Sequence, residues 1–351
     1  VVKGAEVDTS FLARTVTGTG RLTEFEDGTS ELELDSVSAT GDVAMSYDGG
    51  GGRFTASGGE LRWDPKGVAR LEALAGERVE ARGRFREDGL PYVLTATWIE
   101  YGSDDIQALF PEITLDRPAS LNPLSFATLD ELAAAATWFD ERPEIRVVVV
   151  AGRGRAFCAG MDLGAFSGRP DREPREGAEA GRRMVESIES MAAATIAAVH
   201  GHCVGGGVLL AMACDLRVAA AGTRFVIPEI DLGIPLAWGG IPRLVREVGP
   251  AVARDLVLSC RPFDAAEALA LGVVSRVVDD TALAAEVDAL AESLAAKSAF
   301  TVRATLTAID AAAEALVSTA GAAADADLLA AALADPESRA VGRRYLRDRQ
   351  P

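Results

Sequence analysis

Two short apolar runs, each followed by a glycine-containing turn, constrain the fold of this chain more than any other feature. The runs are Val147 to Val150 and Thr195 to Val199. Strands covered on both faces have continuous apolar sequences, whereas half-exposed strands alternate. Segments with helical periodicity lie between and after the two runs. The pattern predicts a mostly parallel sheet with helices outside it.

The first hundred residues have a different pattern. Short alternating runs broken by glycine, such as 31–35 and 79–85, predict half-buried strands. One short helix is expected over 65–75, because Asp64 could cap it. These signals predict a small β-rich, barrel-like domain.

The remainder of the chain predicts strands alternating with helices. Ser125 is expected to cap a helix that runs to about Arg142 and stops at Pro143. Its core-facing residues should be Leu129, Leu132, Ala136 and Phe139. The Ala-rich segment 283–349 is helical in period. The fold class is therefore α/β, and the predicted domains are 1–102, 103–280 and 281–351.

Composition excludes several classes of protein. The net charge is −18, and a nucleic-acid-binding protein needs a basic face, so no nucleic acid partner is expected. No apolar run reaches the ~18–20 residues that span a bilayer, so no membrane partner is expected either. Residues 1–10 lack the apolar core of a signal peptide, and position 1 is not Met, so we expect a trimmed chain or a fragment. We also expect a cytosolic location.

The cysteines and histidines do not form a recognisable metal motif. The four cysteines lack a CxxC pair and lie in apolar stretches: Cys158, Cys203, Cys214 and Cys260. Buried, reduced thiols are the expectation. His200 and His202 form an HxH pair, but the chain has 2 histidines in all, so packing or hydrogen bonding is favoured over metal binding. No metal and no dissociable cofactor are expected.

Two glycine segments follow the apolar runs and carry the strongest functional signal. One is Ala159-Gly160-Met161-Asp162-Leu163, and the other runs from His200 to the triplet Gly205-Gly206-Gly207. Glycines at a strand-to-helix turn leave backbone N–H groups accessible to a ligand. Two such turns side by side could form an oxyanion hole, in which losing one donor costs ~3 kcal/mol in a transition state. The alternative is that these glycines serve only tight turns and packing.

Taken together, the motifs resemble the crotonase (enoyl-CoA hydratase/isomerase) superfamily over about residues 112–345. Besides the two glycine segments, matching stretches occur in the family's order: Ile113 to Pro118, Leu121 to Leu124, Ala211 to Arg217, Pro228 to Gly233, Gly239 to Leu244, and Ala266 to Val274. The resemblance implies a ββα-spiral with a helical C-terminal segment, assembled as a homotrimer or homohexamer. It also implies an acyl-CoA substrate whose thioester enolate is stabilised by the enzyme, with CoA entering as part of that substrate.

The resemblance assigns roles to individual positions. The oxyanion N–H groups correspond to Met161 and Gly206, and the family's PExxLG glutamate is Glu229. Family hydratases carry a second glutamate where this chain has Leu209, and leucine cannot activate water. Other candidate substrate contacts are Ala159, Gly160, Asp162, Leu163, Gly205, Leu209, Pro228 and Trp238. Asp162 could instead cap the next helix, and Trp238 could instead belong to the core.

Leucine followed by a lone glutamate is similar to the pattern of Δ3,Δ2-enoyl-CoA isomerases of the family. A base for an α-proton should titrate near neutral pH, and burial raises the pKa of a carboxyl group. The sequence around Glu229 is apolar, from Ile227 to Pro235. Asp231 is expected on the loop surface. Glu229 could alternatively be a structural carboxylate that caps a turn.

Isomerisation is the leading hypothesis, and three alternatives stay open. They are an enoyl-CoA hydratase, an acyl-CoA decarboxylase or hydrolase with the same oxyanion hole, and a non-catalytic acyl-CoA-binding protein. The usual lysines for the CoA phosphates are missing. Candidate replacements are Arg117, Arg169, Arg172, Arg243 and the C-terminal Arg343, Arg344, Arg347 and Arg349.

Overall fold

The computed structural model describes residues 112–162 and 173–347, apart from the side chain of Pro174, and the backbone of ten strands within residues 1–111. Contacts divide the chain into two compact units, Val1–Ile113 and Thr114–Pro351.

The first unit contains strands that pair in antiparallel fashion. They are β1 (Val2–Gly4), β2 (Val7–Leu12), β3 (Thr15–Glu24), β4 (Ser30–Gly49), β5 (Gly52–Trp63), β6 (Ala69–Glu72), β7 (Val79–Phe85), β8 (Pro91–Ala96), β9 (Trp98–Tyr101) and β10 (Ile106–Leu109). Strands predicted over 31–35 and 79–85 are confirmed. The helix predicted over 65–75 is wrong at its centre, because β6 pairs with both β5 and β9. Pairing with two neighbours outweighs a local helix-start signal. Barrel-like closure stays a prediction.

The remaining strands form two sheets. They are β11 (Glu112–Leu115), β12 (Val147–Gly152), β13 (Ala194–Val199), β14 (His202–Val204), β15 (Leu216–Ala220), β16 (Arg224–Val226), β17 (Phe263–Asp264) and β18 (Arg276–Val278). Strands β12, β13, β15 and β18 lie side by side in parallel. Strands β14, β16 and β17 form the second, smaller sheet. Residues 147–150 and 194–199 are buried throughout, which confirms that these strands are covered on both faces.

Helices surround the parallel sheet. They are α1 (Phe126–Asp140), α2 (Pro174–Glu189), α3 (Gly206–Met212), α4 (Gly240–Ser259), α5 (Ala265–Leu271), α6 (Leu283–Ala295), α7 (Ala299–Leu316), α8 (Asp325–Ala334) and α9 (Pro336–Arg347). Each of the pairs β13–β14 and β15–β16 sends one strand to each sheet, and a helix follows. This succession is the predicted ββα repeat, and α6 to α9 confirm the helical C-terminal segment.

Local signals explain where α1 begins and what it buries. The Ser125 side chain accepts a hydrogen bond from the Thr128 N–H at 3.2 Å, which satisfies one free donor of the first turn. The residues predicted to face the core are the buried ones: Leu129, Leu132, Ala136 and Phe139. On the sheet, α6 packs against β12 and β13 and buries Val287 and Ala291.

All four cysteines are free and buried, as predicted. Burial raises the pKa of the Cys158 thiol to about 12, despite a hydrogen bond from the Gly160 N–H that lowers it. The thiolate is the reactive form of cysteine, so these residues serve as core side chains.

Helix α7 differs from the other long helices, because none of its residues is buried. Phe300, Ile309 and Leu316 are 81%, 58% and 84% exposed. In the described part of the chain, no single helix is long and apolar enough to cross a membrane. By length and composition alone, α7 and the segment 320–334 pass as a pair bent by 66°.

Candidate active site

Two glycine-containing turns lie side by side because they follow neighbouring parallel strands, β12 and β13. The Phe157 N–H donates to the His200 carbonyl at 2.8 Å, and the Cys158 N–H donates to the His202 carbonyl at 3.0 Å. The Val204 N–H returns a bond to the Cys158 carbonyl at 3.0 Å. These bonds fix the first turn against the second.

The Met161 N–H points out of this ladder. The Leu124 N–H donates to the Gly160 carbonyl at 2.8 Å, and the Leu124 carbonyl accepts from the Asp162 N–H at 2.9 Å. Met161 lies between Gly160 and Asp162, the two residues that bond to Leu124. In a parallel pairing of this kind, the middle residue directs its own N–H away from the partner strand. No acceptor for the Met161 N–H lies among residues 112–162 and 173–347. The amide is therefore available to a ligand.

The Gly206 N–H is the second available donor. Gly206 is the first residue of α3, and the N–H groups of a first turn have no partner within their helix. Gly160 approaches it closely: a methyl group at Gly160 would lie 3.4 Å from the Gly206 nitrogen and 2.6 Å from the Val204 carbonyl oxygen. Only glycine fits at this position, which also has φ 82°. The two turns thus place the residue before Met161 against the Gly206 amide, and an oxyanion hole formed by the two N–H groups stays a prediction.

The Glu229 carboxyl group lies against the backbone just before the second donor. A methyl group at Gly205 would come within 2.5 Å of its Oε1. Its Oε2 is buried and has no hydrogen-bond partner, and no other buried side-chain oxygen or nitrogen in the described residues lacks one. Burial raises the pKa of Glu229 to about 7, although a hydrogen bond with its own backbone lowers it. A carboxyl group with this pKa can accept and return a proton at neutral pH.

The loop after Glu229 is a compact turn. The Leu232 N–H donates to the Pro228 carbonyl at 3.1 Å, and the Ile234 N–H donates to the Glu229 carbonyl at 3.0 Å. Asp231 is exposed, as predicted. Ile230, one of the apolar neighbours of Glu229 in sequence, is 39% exposed. The close approach to Gly205 contributes to the burial of Glu229 instead.

Leu209 is buried between α3 and the start of α4. It is 2% exposed, and a methyl group at Gly240 would lie 2.9 Å from both of its terminal carbons. Leu236 also lies 2.9 Å from that position. The position that holds a second glutamate in family hydratases thus carries an apolar side chain with apolar neighbours.

Trp238 lies against Gly206. Its side chain is 8% exposed, and its backbone has φ 61°. A methyl group at Gly206 would lie 2.6 Å from Cζ3 of the indole ring and 3.4 Å from Cδ1 of Leu124. Trp238 therefore contacts the glycine that carries the second donor. Sequence reasoning did not identify Leu124 as part of the site, since its apolar side chain carries no functional signal.

Three further predicted site residues, Ala159, Asp162 and Pro228, belong to the described part of the chain. The Ala159 N–H donates to the Leu121 carbonyl at 2.9 Å, Pro228 is buried, and Asp162 pairs with Arg117 at 3.4 Å. Leu163 lies outside the described residues. His200 forms a hydrogen bond with the Gly154 carbonyl at 3.0 Å.

The arginine candidates for CoA phosphates have different outcomes. Arg243 is wrong as a phosphate ligand, because it is 4% exposed and paired with Glu189. The Arg117 side chain is 48% exposed, and Arg117 stays a candidate ligand for a CoA phosphate. Three others are on α9: Arg343, Arg344 and Arg347. Arg169, Arg172 and Arg349 lie outside the described residues.

Comparison with known proteins agrees with this geometry. The family described as "Enoyl-CoA hydratase/isomerase" matches residues 105–351. A crotonyl-CoA hydratase from Syntrophomonas wolfei is 36% identical over 190 residues, covering 54% of this chain and 73% of that protein. The peroxisomal Delta(3,5)-Delta(2,4)-dienoyl-CoA isomerase of Arabidopsis thaliana is 34% identical over 206 residues, covering 55% and 74%. The crystal structure of an enoyl-CoA hydratase from Mycobacterium avium subsp. paratuberculosis K-10 aligns with a TM-score of 0.62 at 28% identity, covering 67% of this chain and 94% of that one.

Proposed function

The chain belongs to the enoyl-CoA hydratase/isomerase family of acyl-CoA enzymes, and on this premise we propose that it isomerises a 3-enoyl-CoA to the 2-enoyl-CoA. One observation carries the proposal. The Glu229 carboxyl group lies beside the Gly205 backbone with its Oε2 buried and without a hydrogen-bond partner, while Leu209 stands where a hydratase has its second glutamate.

The reaction needs one base and one oxyanion site. The thioester oxygen accepts hydrogen bonds from the Met161 and Gly206 amides. Glu229 removes a proton from C2, and the electrons of that C–H bond enter a dienolate whose negative charge rests on the thioester oxygen. The same carboxyl group then returns its proton to C4, so that the double bond moves from C3–C4 to C2–C3. No dissociable cofactor takes part, because CoA enters with the substrate.

Protein groups support each step of this scheme. Backbone donors are rigid, so they stabilise the developing oxyanion without reorganising. The pKa of Glu229, which burial raises to about 7, matches the requirement that one group first takes and then gives a proton near neutral pH. The apolar surface of Leu209 disfavours a water molecule that would add across the double bond.

A hydratase is the second candidate, because several relatives carry that name. In this case Glu229 alone would have to hold and activate the water molecule. Mass spectrometry of the product separates the two reactions, since hydration adds one water and isomerisation adds nothing.

A pair of variants tests the proposal. Glu229→Gln is expected to lower conversion of a 3-enoyl-CoA by about 10²–10⁴-fold, the usual contribution of a general base. Leu209→Ala should keep the reaction, although it opens a cavity and destabilises the fold by about 2–5 kcal/mol. Retained turnover in Glu229→Gln would overturn the proposal, and tight acyl-CoA binding without turnover in the parent protein would support a non-catalytic role.

We also propose that the protein assembles as a homotrimer or homohexamer. The support is α7, an 18-residue helix with no buried residue and several large apolar side chains on its surface. Ile309 and Leu316, seven residues apart, share one side of this helix, and exposed apolar side chains grouped on one side mark an interaction site more often than free surface.

A further inference from the structure

The indole ring of Trp238 contacts two glycines from different elements. Gly206, at the start of α3, approaches the ring atom Cζ3. Gly181, within α2, approaches other ring atoms, and a methyl group there would come within 2.0 Å of Cε2. Ordinary contacts of such a methyl group begin near 3.4 Å, so any side chain at position 181 would displace the ring.

The backbone of Trp238 is in the left-handed region, with φ 61°. A bulky residue keeps this conformation only when its surroundings hold it there. The Arg243 Nη1 donates to the Trp238 carbonyl at 3.3 Å and to the Gly239 carbonyl at 3.2 Å. On the next peptide, the Gly239 N–H donates to the Asp325 carboxylate at 2.8 Å. These bonds hold the turn from α4 and α8.

The Arg243 guanidinium is itself fixed by an acidic partner. It is 4% exposed, and its Nε lies 3.3 Å from Oε1 of Glu189, while its Nη2 donates to Oε2 of the same carboxylate. A two-pronged pairing of this kind sets the plane of the guanidinium group. The remaining nitrogen is thereby directed at the Trp238 turn. Because Glu189 ends α2, the helix that receives the ring also supplies the counter-ion.

We propose that Glu189, Arg243 and Asp325 are positioning residues that fix Trp238 as a rigid wall beside the Gly206 amide, and that this wall selects compact, unbranched acyl groups. The inference deepens the proposed function and rests on it for its substrate. The indole edge lies against Gly206, so the acyl group of a thioester whose carbonyl accepts from the Gly206 N–H would lie near the ring, and bulk near that carbonyl would be excluded. Freeing or shortening the Trp238 side chain should relax the exclusion.

Four variants and one control test the proposal. Arg243→Lys keeps the positive charge but loses the planar guanidinium group that bonds to Glu189 at two points. Asp325→Asn replaces the carboxylate that accepts from the Gly239 N–H with a neutral amide. Gly181→Ala adds a methyl group on α2 that displaces the Trp238 ring, and Trp238→Leu replaces the ring with a smaller side chain. The matched control is Gly177→Ala, one turn earlier on α2, where a methyl group would lie 2.6 Å from the ring of Phe126. Both glycine variants therefore press on an aromatic ring, but only one ring lies at the site.

Two measurements are made on each full-length variant. The near-ultraviolet circular dichroism of Trp238 reports whether the ring is fixed. For each protein it is the difference between the spectra measured with Trp238 present and with Trp238→Phe added. The ratio of kcat/KM for a straight-chain and a branched 3-enoyl-CoA reports selectivity. We expect Arg243→Lys and Gly181→Ala to lose most of the Trp238 signal and to shift the ratio toward the branched substrate at least about tenfold, with Asp325→Asn shifting it less. Gly177→Ala should leave both readouts unchanged.

Folded Arg243→Lys and Gly181→Ala proteins that keep the Trp238 signal and the parent selectivity would overturn the inference. If Arg243→Lys does not fold, Gly181→Ala combined with Trp238→Leu decides, since the smaller side chain should relieve the overlap and leave selectivity relaxed. Parent-like selectivity in that double variant would count against the wall. If the parent protein converts neither substrate, the proposed function fails, while the Trp238 signal still decides whether the network seats the ring.

Discussion

The carboxyl group of Glu229 and the backbone of Gly205 approach so closely that a methyl group at Gly205 would lie 2.5 Å from Oε1. Gly205 also has φ 49° and ψ −115°, a conformation that residues with a Cβ avoid. One glycine therefore turns the chain into α3, leaves the next N–H accessible and makes room for the Glu229 carboxyl group, whose Oε2 is the one buried side-chain oxygen or nitrogen without a hydrogen-bond partner in the described residues. The carboxyl group and the Gly206 N–H thus lie at neighbouring positions of the same turn.

Replacing Gly205 by alanine should move the Glu229 carboxyl group away from the Gly206 N–H. The added methyl group must push the Glu229 carboxyl away, and a misplacement of about 1 Å can cost ~10²-fold in rate. We expect kcat to fall by at least that factor. Gly249→Ala is the matched control, since Gly249 has φ 73° and ψ 164° but nothing within 4 Å of an added methyl group. It should lose about 1–3 kcal/mol of stability through backbone strain and keep its kcat.

The rate of isomerisation should follow the titration of Glu229. Burial raises the pKa of this carboxyl group to about 7, and only the carboxylate accepts the C2 proton. Below pH 7, kcat/KM should fall about tenfold per pH unit, and it should level off above. The exposed neighbour Asp231 gives the control, because Asp231→Asn should leave the profile unchanged. A profile that stays flat down to pH 5 would contradict the assignment.

The same group makes stability depend on pH. The folded pKa of Glu229 lies above its ordinary value of 4.5, at about 7. Its contribution to the free energy of unfolding is therefore fully present below pH 4.5 and is lost as the pH rises through 7. The loss amounts to about 3 kcal/mol at most. Glu229→Gln, which stays neutral, should be more stable than the parent protein at pH 8 and lose that advantage at pH 4.5. Urea unfolding at both pH values measures the difference, and an unchanged difference would show that the carboxyl group is not buried.

Assembly should depend on α7. Ile309 and Leu316 are seven residues apart and therefore share one side of this helix. Ile309→Asp combined with Leu316→Asp should shift the protein from a trimer or hexamer toward the monomer, as light scattering after size exclusion would show. Thr281→Asp combined with Ser293→Asp adds the same charge at exposed polar positions and should leave the assembly intact. A parent protein that is monomeric would contradict the proposal.

Features coded by local sequence were predictable. The buried face of α1 follows from the spacing of Leu129, Leu132, Ala136 and Phe139, and the burial of β12 and β13 follows from their unbroken apolar runs. Positions of Glu229 and Leu209 were found by resemblance, since neither residue type alone identifies a catalytic site. The start of α3 within the glycine triplet is not visible in helix propensity, because glycine is a weak helix former although Gly206 already belongs to the helix.

Long-range packing was not predictable. Arg243 looked like a free cation, but its partner Glu189 lies at the end of another helix. The exposure of Ile230, which lies within the apolar stretch around Glu229, depends on the turn after Pro228 and is not visible in composition. The seat of Trp238 on Gly181 depends on how α2 crosses the active-site turn, and no local pattern in the sequence encodes that crossing.

Isotopic labelling tests most directly whether Glu229 alone moves a proton from C2 to C4 while two backbone donors hold the thioester oxygen. A 3-enoyl-CoA that carries two deuterium atoms at C2 is incubated with the parent protein, and the product is examined by mass spectrometry and NMR. We predict a 2-enoyl-CoA that keeps one deuterium at C2, has gained a hydrogen or deuterium at C4 and contains no added water. A product heavier by one water, or a substrate that keeps both deuterium atoms at C2, would contradict the account.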